Sequence, residues 1–352
     1  MKTIQQTLNA PDSLLLTLIK SLTSLSSAKV IVLYMMLLLG FTLSLVGQSE
    51  FSLTLNDAWQ ALISPDSGSI KQQVILSLRM PRSLIACLIG LNLGVAGVLM
   101  QGLTRNPLAS PTLFAINSGA ACLMALSSIG VAFISAFPIE VVTFIGAALG
   151  GFLVFFLGGG LSSHHNPLRL ILAGIAINAL LTSLTRAALI ISDDKAHTLL
   201  HWLSGSLSEA DWQNWLQLWP VSLVALLIAL STSRGLNLNA LGEQTASSLG
   251  MNVNALRIRV CLAVLLLTAI SVTIAGPIVF VGLIAPHLAR SLFGNNHYML
   301  IPASGLLGAA LVCWADLLSR FIVPPAETPV GIITALIGTP FFIYLVLKEE
   351  KQ

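Results

Sequence analysis

Long apolar runs separated by short polar joints fill almost the whole of this 352-residue chain, and they fix what it can fold into before any motif is read. A run of about 20 apolar residues matches about 30 Å of hydrocarbon, and in hydrocarbon every backbone N–H and C=O must be bonded within the protein. Only helices and closed barrels meet that demand, and runs this long mean helices. Charged residues make up 9% of the chain and hydrophobic ones 55%, which excludes a soluble globule, where roughly a quarter of residues are charged. The expectation is an all-α polytopic membrane protein.

Ten candidate spans are read near residues 29–47, 82–101, 109–130, 138–158, 168–192, 213–232, 258–275, 277–290, 300–318 and 327–347. The first, with no small-residue cleavage signature after it, reads as an uncleaved span rather than a signal peptide. The eighth is too short to cross upright, and Gly276-Pro277 before it predicts a break in the preceding helix. The domain reading is an N-terminal extension over 1–28, a transmembrane domain over 29–347 and a tail over 348–352. Cys87, Cys122, Cys261 and Cys313 all fall inside apolar runs and read as core residues.

With both termini placed inside, the cytoplasmic side receives eleven of the seventeen Lys and Arg residues, five lie outside, and Arg186 falls within a span. That bias sets the orientation by the positive-inside rule. A formal net charge of +3, spread over short loops, gives no nucleic-acid patch.

One polar stretch, Ser233 to Arg259, stands apart. Leu238, Leu241, Ala246 and Leu249 fall close to helical spacing, so one face is apolar and needs a cover. Gly242 and Gly250 sit where short helices could stop. Two short helices at the membrane surface are expected, either docking a soluble partner or bedded in headgroups.

No Gly-Lys pair occurs, so a Walker-type phosphate loop is absent, and neither a His-Glu-x-x-His helix nor a Gly-x-Ser-x-Gly elbow is present. An enzyme has little to stand on. A gradient-driven secondary transporter would want intramembrane carboxylates, and the spans offer only Asp316 near one end.

Leu78-Arg79-Met80-Pro81-Arg82, Gln101 to Pro111, Gly276 to His287 and Glu327 to Pro340 resemble the FecCD-type permeases, in matching order from about Leu55 to Leu347. The resemblance implies the membrane subunit of an ABC importer, of the type II, cobalamin-importer-like fold, for iron-siderophore complexes, haem or cobalamin. It implies a bacterial cytoplasmic (inner) membrane location, a homodimer or a pair with a related second permease subunit, two cytoplasmic ATPase subunits and a periplasmic or lipid-anchored substrate-binding protein. The chain itself would bind no cofactor, with ATP and Mg held by the ATPase. Leu170 to Ala176, Thr185-Arg186 and His201 to Gly205 most resemble ferric-citrate members; free metal remains an alternative cargo. Helices 2–5 and 7–10 are expected to form an inverted pair.

Carried over onto this sequence, the family's coupling loop falls on Ala240, Leu241, Gly242, Ala246, Leu249 and Gly250. Arg79, Arg82 and Arg320 correspond to arginines that face acidic residues of the binding protein, the alternative being headgroup snorkelling or a helix cap. His164, His165 and Asn166 lie where the family has its inner gate; the residues themselves read as a solvated turn. Arg186, a charge at depth, should face a wet cavity or a partner, either attracting an anionic chelate or pairing with an exterior acid. Asp193, His197 and His201, at i, i+4 and i+8, would share a helical face and form a weak candidate metal trio beside Trp202. Trp202, Trp212, Trp215 and Trp219 read as an interfacial belt, and Asp316 as an i,i+4 partner of Arg320.

Overall fold

A computed structural model describes residues 27–47, 53–66, 68–159, 167–191, 196–323 and 326–349. Among them the chain is helical throughout: α1 (Ser27–Val46), α2 (Leu55–Ile63), α3 (Ile70–Val74), α4 (Met80–Thr104), α5 (Ile116–Ser128), α6 (Ile139–Leu157), α7 (Pro167–Ile191), α8 (Ala196–Leu203), α9 (Trp212–Ser231), α10 (Ser233–Asn239), α11 (Glu243–Ser248), α12 (Val253–Ala275), α13 (Val281–Phe293), α14 (His297–Ser319) and α15 (Val330–Glu349). Eight of these segments are long and apolar enough to cross a membrane, and α5 and α13 are shorter apolar helices of 13 residues each. All ten expected spans therefore correspond to helices.

Their bounds shift by several residues, and two of the shifts change which residues are helical near the site. The third span does not run from 109: a 3-10 turn at Pro111–Phe114 precedes α5, and Ala115 between them takes the left-handed conformation, φ 52°. The seventh starts at Val253, so Arg257 and Arg259 belong to α12 and not to a loop. The break at Gly276 occurs as expected, with φ 69°, and α13 follows another left-handed non-glycine residue, Phe280, φ 67°. Each short helix is thus entered through a backbone position that costs an L-residue about 1–2 kcal/mol, a parallel between the two halves of the chain.

The core forms around α4, which packs against α14 most extensively and also meets α9, α12 and α13. Small residues make this possible. A methyl built on Gly90 would overlap the Gly308 carbonyl, one on Gly94 that of Ser304, and one on Gly97 that of Gly282. Without water to drive apolar faces together, such close backbone approach supplies the dispersion that holds spanning helices. The apolar helix α1 lies on the outside of this pair, against α14 and α4, and Trp314 Nε1 donates to the Met36 carbonyl at 3.2 Å.

Before α4 the helix widens into one π turn, Ile75–Arg79. Pro81 has no N–H to give to the preceding turn, and a π turn accommodates the gap without ending the helix. The consequence is local: Arg79 and Arg82 are set at the mouth of the α4–α14 pair.

Candidate functional site

At one end of the bundle, α10 follows α9 after Thr232 and is tied down by asparagines. Asn239, buried, donates through Nδ2 to the Gly102 carbonyl at 3.0 Å, at the end of α4. Asn237 donates to Asn296 Oδ1 at 2.9 Å and accepts the His297 backbone N–H at 2.9 Å, at the start of α14. Then Gly242, φ 105°, turns the chain into α11, which Arg257 of α12 anchors by donating to Glu243 Oε1 at 2.8 Å. A half-buried charged pair of this kind holds geometry more than it adds stability.

The two short helices of the polar stretch are therefore present, and Gly242 and Gly250 both have positive φ. Leu241 and Leu249 are 62% and 61% exposed. They project from the anchored hairpin with none of the described residues covering them. Ala246 is different: it is fully buried, because α11 is a single turn and a half whose one inward position falls there. It packs the hairpin onto the bundle and is not available to a partner, which corrects its place among the coupling contacts. Ala240 is exposed beside Leu241.

At the opposite end, Asp316 of α14 is completely buried between two arginines. Arg82 of α4 donates from Nε to Asp316 Oδ1 at 2.8 Å, and its Nη2 lies 2.8 Å from the same oxygen. Arg320 pairs with the other oxygen through Nη2, and its Nη1 donates to the Ser44 carbonyl at 2.8 Å. Ser44 Oγ also reaches Asp316 Oδ2 and lies 2.8 Å from Ser83 Oγ, which brings α1 into the network. The i,i+4 pair expected of Asp316 and Arg320 is present. The remaining face of Arg82 donates from Nη1 to Glu327 Oε2 at 2.6 Å, just before α15. Arg79 is half-buried and within electrostatic reach of Arg82, Asp316 and Glu327. The resemblance sets these arginines against acids of a partner; within the subunit alone, Arg82 and Arg320 have side chains only 8% and 2% exposed and pair with Asp316, and Arg82 also with Glu327. The physical reason is Asp316, an isolated carboxylate in a spanning helix that must be paired.

Arg186 lies on an exposed face of α7, the least buried of the longer candidate spans. Asn178 and Ser183 are exposed on the same helix, with Thr182 half-buried between them. Among the described residues, no part of the subunit's own core covers this polar face. His197 and His201 are exposed one turn apart on α8, and His201 lines a cavity of 680 Å³ with Ser127, Ser206, Glu209 and Thr273. Asp193, His164, His165 and Asn166 fall outside the described residues. Among the described residues no group of three His, Cys, Asp or Glu side chains is placed to hold a metal ion.

Three polar contacts inside the bundle escaped the sequence reading. Asn92, fully buried in α4, donates to Ser222 Oγ of α9 at 2.7 Å and Ser271 Oγ of α12 at 3.2 Å. Arg290 of α13 donates to Gln101 Oε1 at 2.6 Å. Cys87 and Cys313, assigned simply to the core, have their Sγ atoms 3.0 Å apart across the α4–α14 contact, both as free thiols. The signal for the first two was a lone amide inside an apolar run; its partner, more than a hundred residues away, had no signal at all.

This bundle of spanning helices with an anchored polar hairpin at one end has the fold of a solved metal-chelate type ABC transporter. The chain belongs to the FecCD transport family, which matches residues 35–348. It is 41% identical over 313 residues to the Fe(3+)-citrate import system permease protein YfmD of Bacillus subtilis (strain 168), covering 89% of this chain and 92% of that one. It is also 41% identical over 314 residues to the Fe(3+) dicitrate transport system permease protein FecC of Escherichia coli (strain K12), covering 89% and 95%. Among solved structures, an inward-facing conformation of a putative metal-chelate type ABC transporter superposes with a TM-score of 0.78 at 33% identity, covering 92% of this chain and 99% of that one.

Proposed function

We propose that this permease moves an iron chelate, ferric citrate in the first instance, inward across the bacterial cytoplasmic membrane, with ATP and Mg bound and hydrolysed by two separate ATPase subunits. The observation that carries the reading is the α10–α11 hairpin. Its asparagine and Arg257–Glu243 anchors fix it to α4, α14 and α12, so a push on Leu241 and Leu249 is delivered to the helices that form the core. Apolar side chains presented on a polar, anchored loop suit a protein partner, since they gain roughly 25 cal/mol per Å² on being covered. The hairpin end faces the cytoplasm by the distribution of lysines and arginines, which puts both termini there.

The cargo's charge is supported by Arg186. A guanidinium on an outward face of a spanning helix cannot be left in hydrocarbon, and Asn178, Ser183 and Arg186 together suit a wet path between this subunit and a second permease subunit, identical or related. A ferric chelate of net negative charge fits that lining. The curated relatives with citrate in their names favour citrate over hydroxamate, catecholate, haem or cobalamin. A periplasmic or lipid-anchored binding protein delivers the chelate to the Arg82 end.

Uptake of labelled iron as citrate, hydroxamate, catecholate and haem, and of labelled cobalamin, in cells with and without the chain tests the proposal. Loss of citrate uptake, restored by the wild-type chain and not by Gly242→Trp, is the expected result. Unchanged uptake of every ligand in a strain with no redundant importer overturns it, and unaltered kinetics in Arg186→Gln removes the ligand-attracting role.

A further inference from the structure

We propose that Glu327 occupies, in the undocked permease, the place on Arg82 that a carboxylate of the binding protein takes on docking, so that docking proceeds by exchange of one acid for another. The inference rests on the reading that the Arg82 end receives an acidic face of the binding protein, and it assigns that contact a built-in competitor.

The two carboxylates on Arg82 are unequal. Asp316 is completely buried, bonded also to Arg320 and Ser44, and sits in the middle of α14 packing. Nothing from outside can reach it. Glu327 is one-third exposed, and it lies in the non-helical segment leading into α15. Among the described residues, the backbone bond next to it is the Thr328 N–H donated to the Ser319 carbonyl at 3.1 Å. The Nη1 edge of Arg82 is thus the one edge covered by a group that can swing into water without leaving a buried charge behind. Nη1 donates to a single oxygen of Glu327, and it can donate in the same way to a carboxylate oxygen of another chain.

The charge balance agrees. Arg79, Arg82 and Arg320 face Asp316 and Glu327, three positive charges against two negative, so the cluster retains a net positive charge that attracts an acid before exchange and is restored to the same value after it. Release of Glu327 also frees the entry to α15, where Gly331 N–H donates to the Gly205 carbonyl at 2.9 Å. Docking at one end thereby acts on a spanning helix.

The test is the affinity of the complete importer in lipid nanodiscs for the binding protein that supports uptake with it, measured for wild type, Glu327→Gln, Arg82→Gln and the double variant. Glu209→Gln, exposed on the same side, gives the effect of removing one negative charge without touching Arg82. Removing the competitor should tighten binding by about fivefold, the upper end of what one exposed ion pair contributes, more than Glu209→Gln does, and the gain should vanish when Arg82 is Gln. Tightening that persists in the Arg82→Gln background, or none beyond Glu209→Gln, overturns the exchange while a weakened Arg82→Gln leaves docking itself intact. An Arg82→Gln importer that binds as wild type overturns docking and exchange together. If Arg82→Gln does not assemble, Arg82→Lys takes its place: it keeps the charge and loses the fork, and the same cycle is read.

Discussion

Replacing Asp316 by Asn should be among the most destabilising single changes in this chain. Asp316 shares its two oxygens between Arg82 and Arg320, all three side chains being nearly or wholly buried. The amide removes the negative charge and turns N–H groups toward at least one guanidinium. Removing one partner of a buried ion pair costs about 3–5 kcal/mol. Two arginines are affected, yet the cost should not double, because Arg82 keeps Glu327 and Arg320 keeps the Ser44 carbonyl and hydroxyl. Such a loss corresponds to a fall in melting temperature on the order of 10 °C, readable by size-exclusion fluorescence of the heated, detergent-solubilised protein. The companion variant Asp316→Leu with Arg320→Met removes both charges from one turn of α14 and should recover much of the loss, since replacing a buried ion pair by apolar groups is often neutral. An Asp316→Asn protein that melts no lower than Glu209→Gln, or a double variant worse than the single, would refute the reasoning.

Gly242→Trp should abolish ATPase co-purification and transport while insertion is retained; a built Cβ meets only ordinary contacts, Thr245 Oγ1 at 3.9 Å and Arg105 Nη1 at 4.0 Å, so the damage comes from φ 105°, a conformation costing an L-residue on the order of 1–3 kcal/mol. Leu241→Asp with Leu249→Asp should lose ATPase co-purification at an unchanged melting temperature, since both side chains are exposed, and a fall in melting temperature would mean they pack within the subunit. Gly97→Val should leave no monodisperse protein in detergent, because its side chain would occupy the Gly282 backbone; normal yield would show that α4 and α13 can separate at little cost.

The spans were legible because hydropathy acts locally: a run of apolar residues must be helical in hydrocarbon whatever it packs against. The break at Gly276-Pro277 and the glycine-bounded hairpin were legible for the same reason, since both follow from the backbone preferences of the residues concerned. Residue 115 was not, because nothing in an alanine announces a left-handed conformation. The site was read unevenly. Leu241 and Leu249, read with Ala246 on one apolar face that needs a cover, are exposed while Ala246 is buried, and only the docking of α11 on the bundle distinguishes the two.

What the sequence determined by itself is the class of molecule: helices across a membrane with a polar hairpin at one end. What only the tertiary structure decided is where the charges in the spans go. Arg82 and Asp316 are 234 positions apart, and whether an arginine faces a partner or a buried carboxylate depends on which helix lies beside it. That choice is made by the backbone contact of Gly90 and Gly94 with Gly308 and Ser304, which sets α4 against α14 and brings the acid to the base. Hydropathy is a property of each residue, whereas an ion pair is a property of two, and folding alone supplies the second.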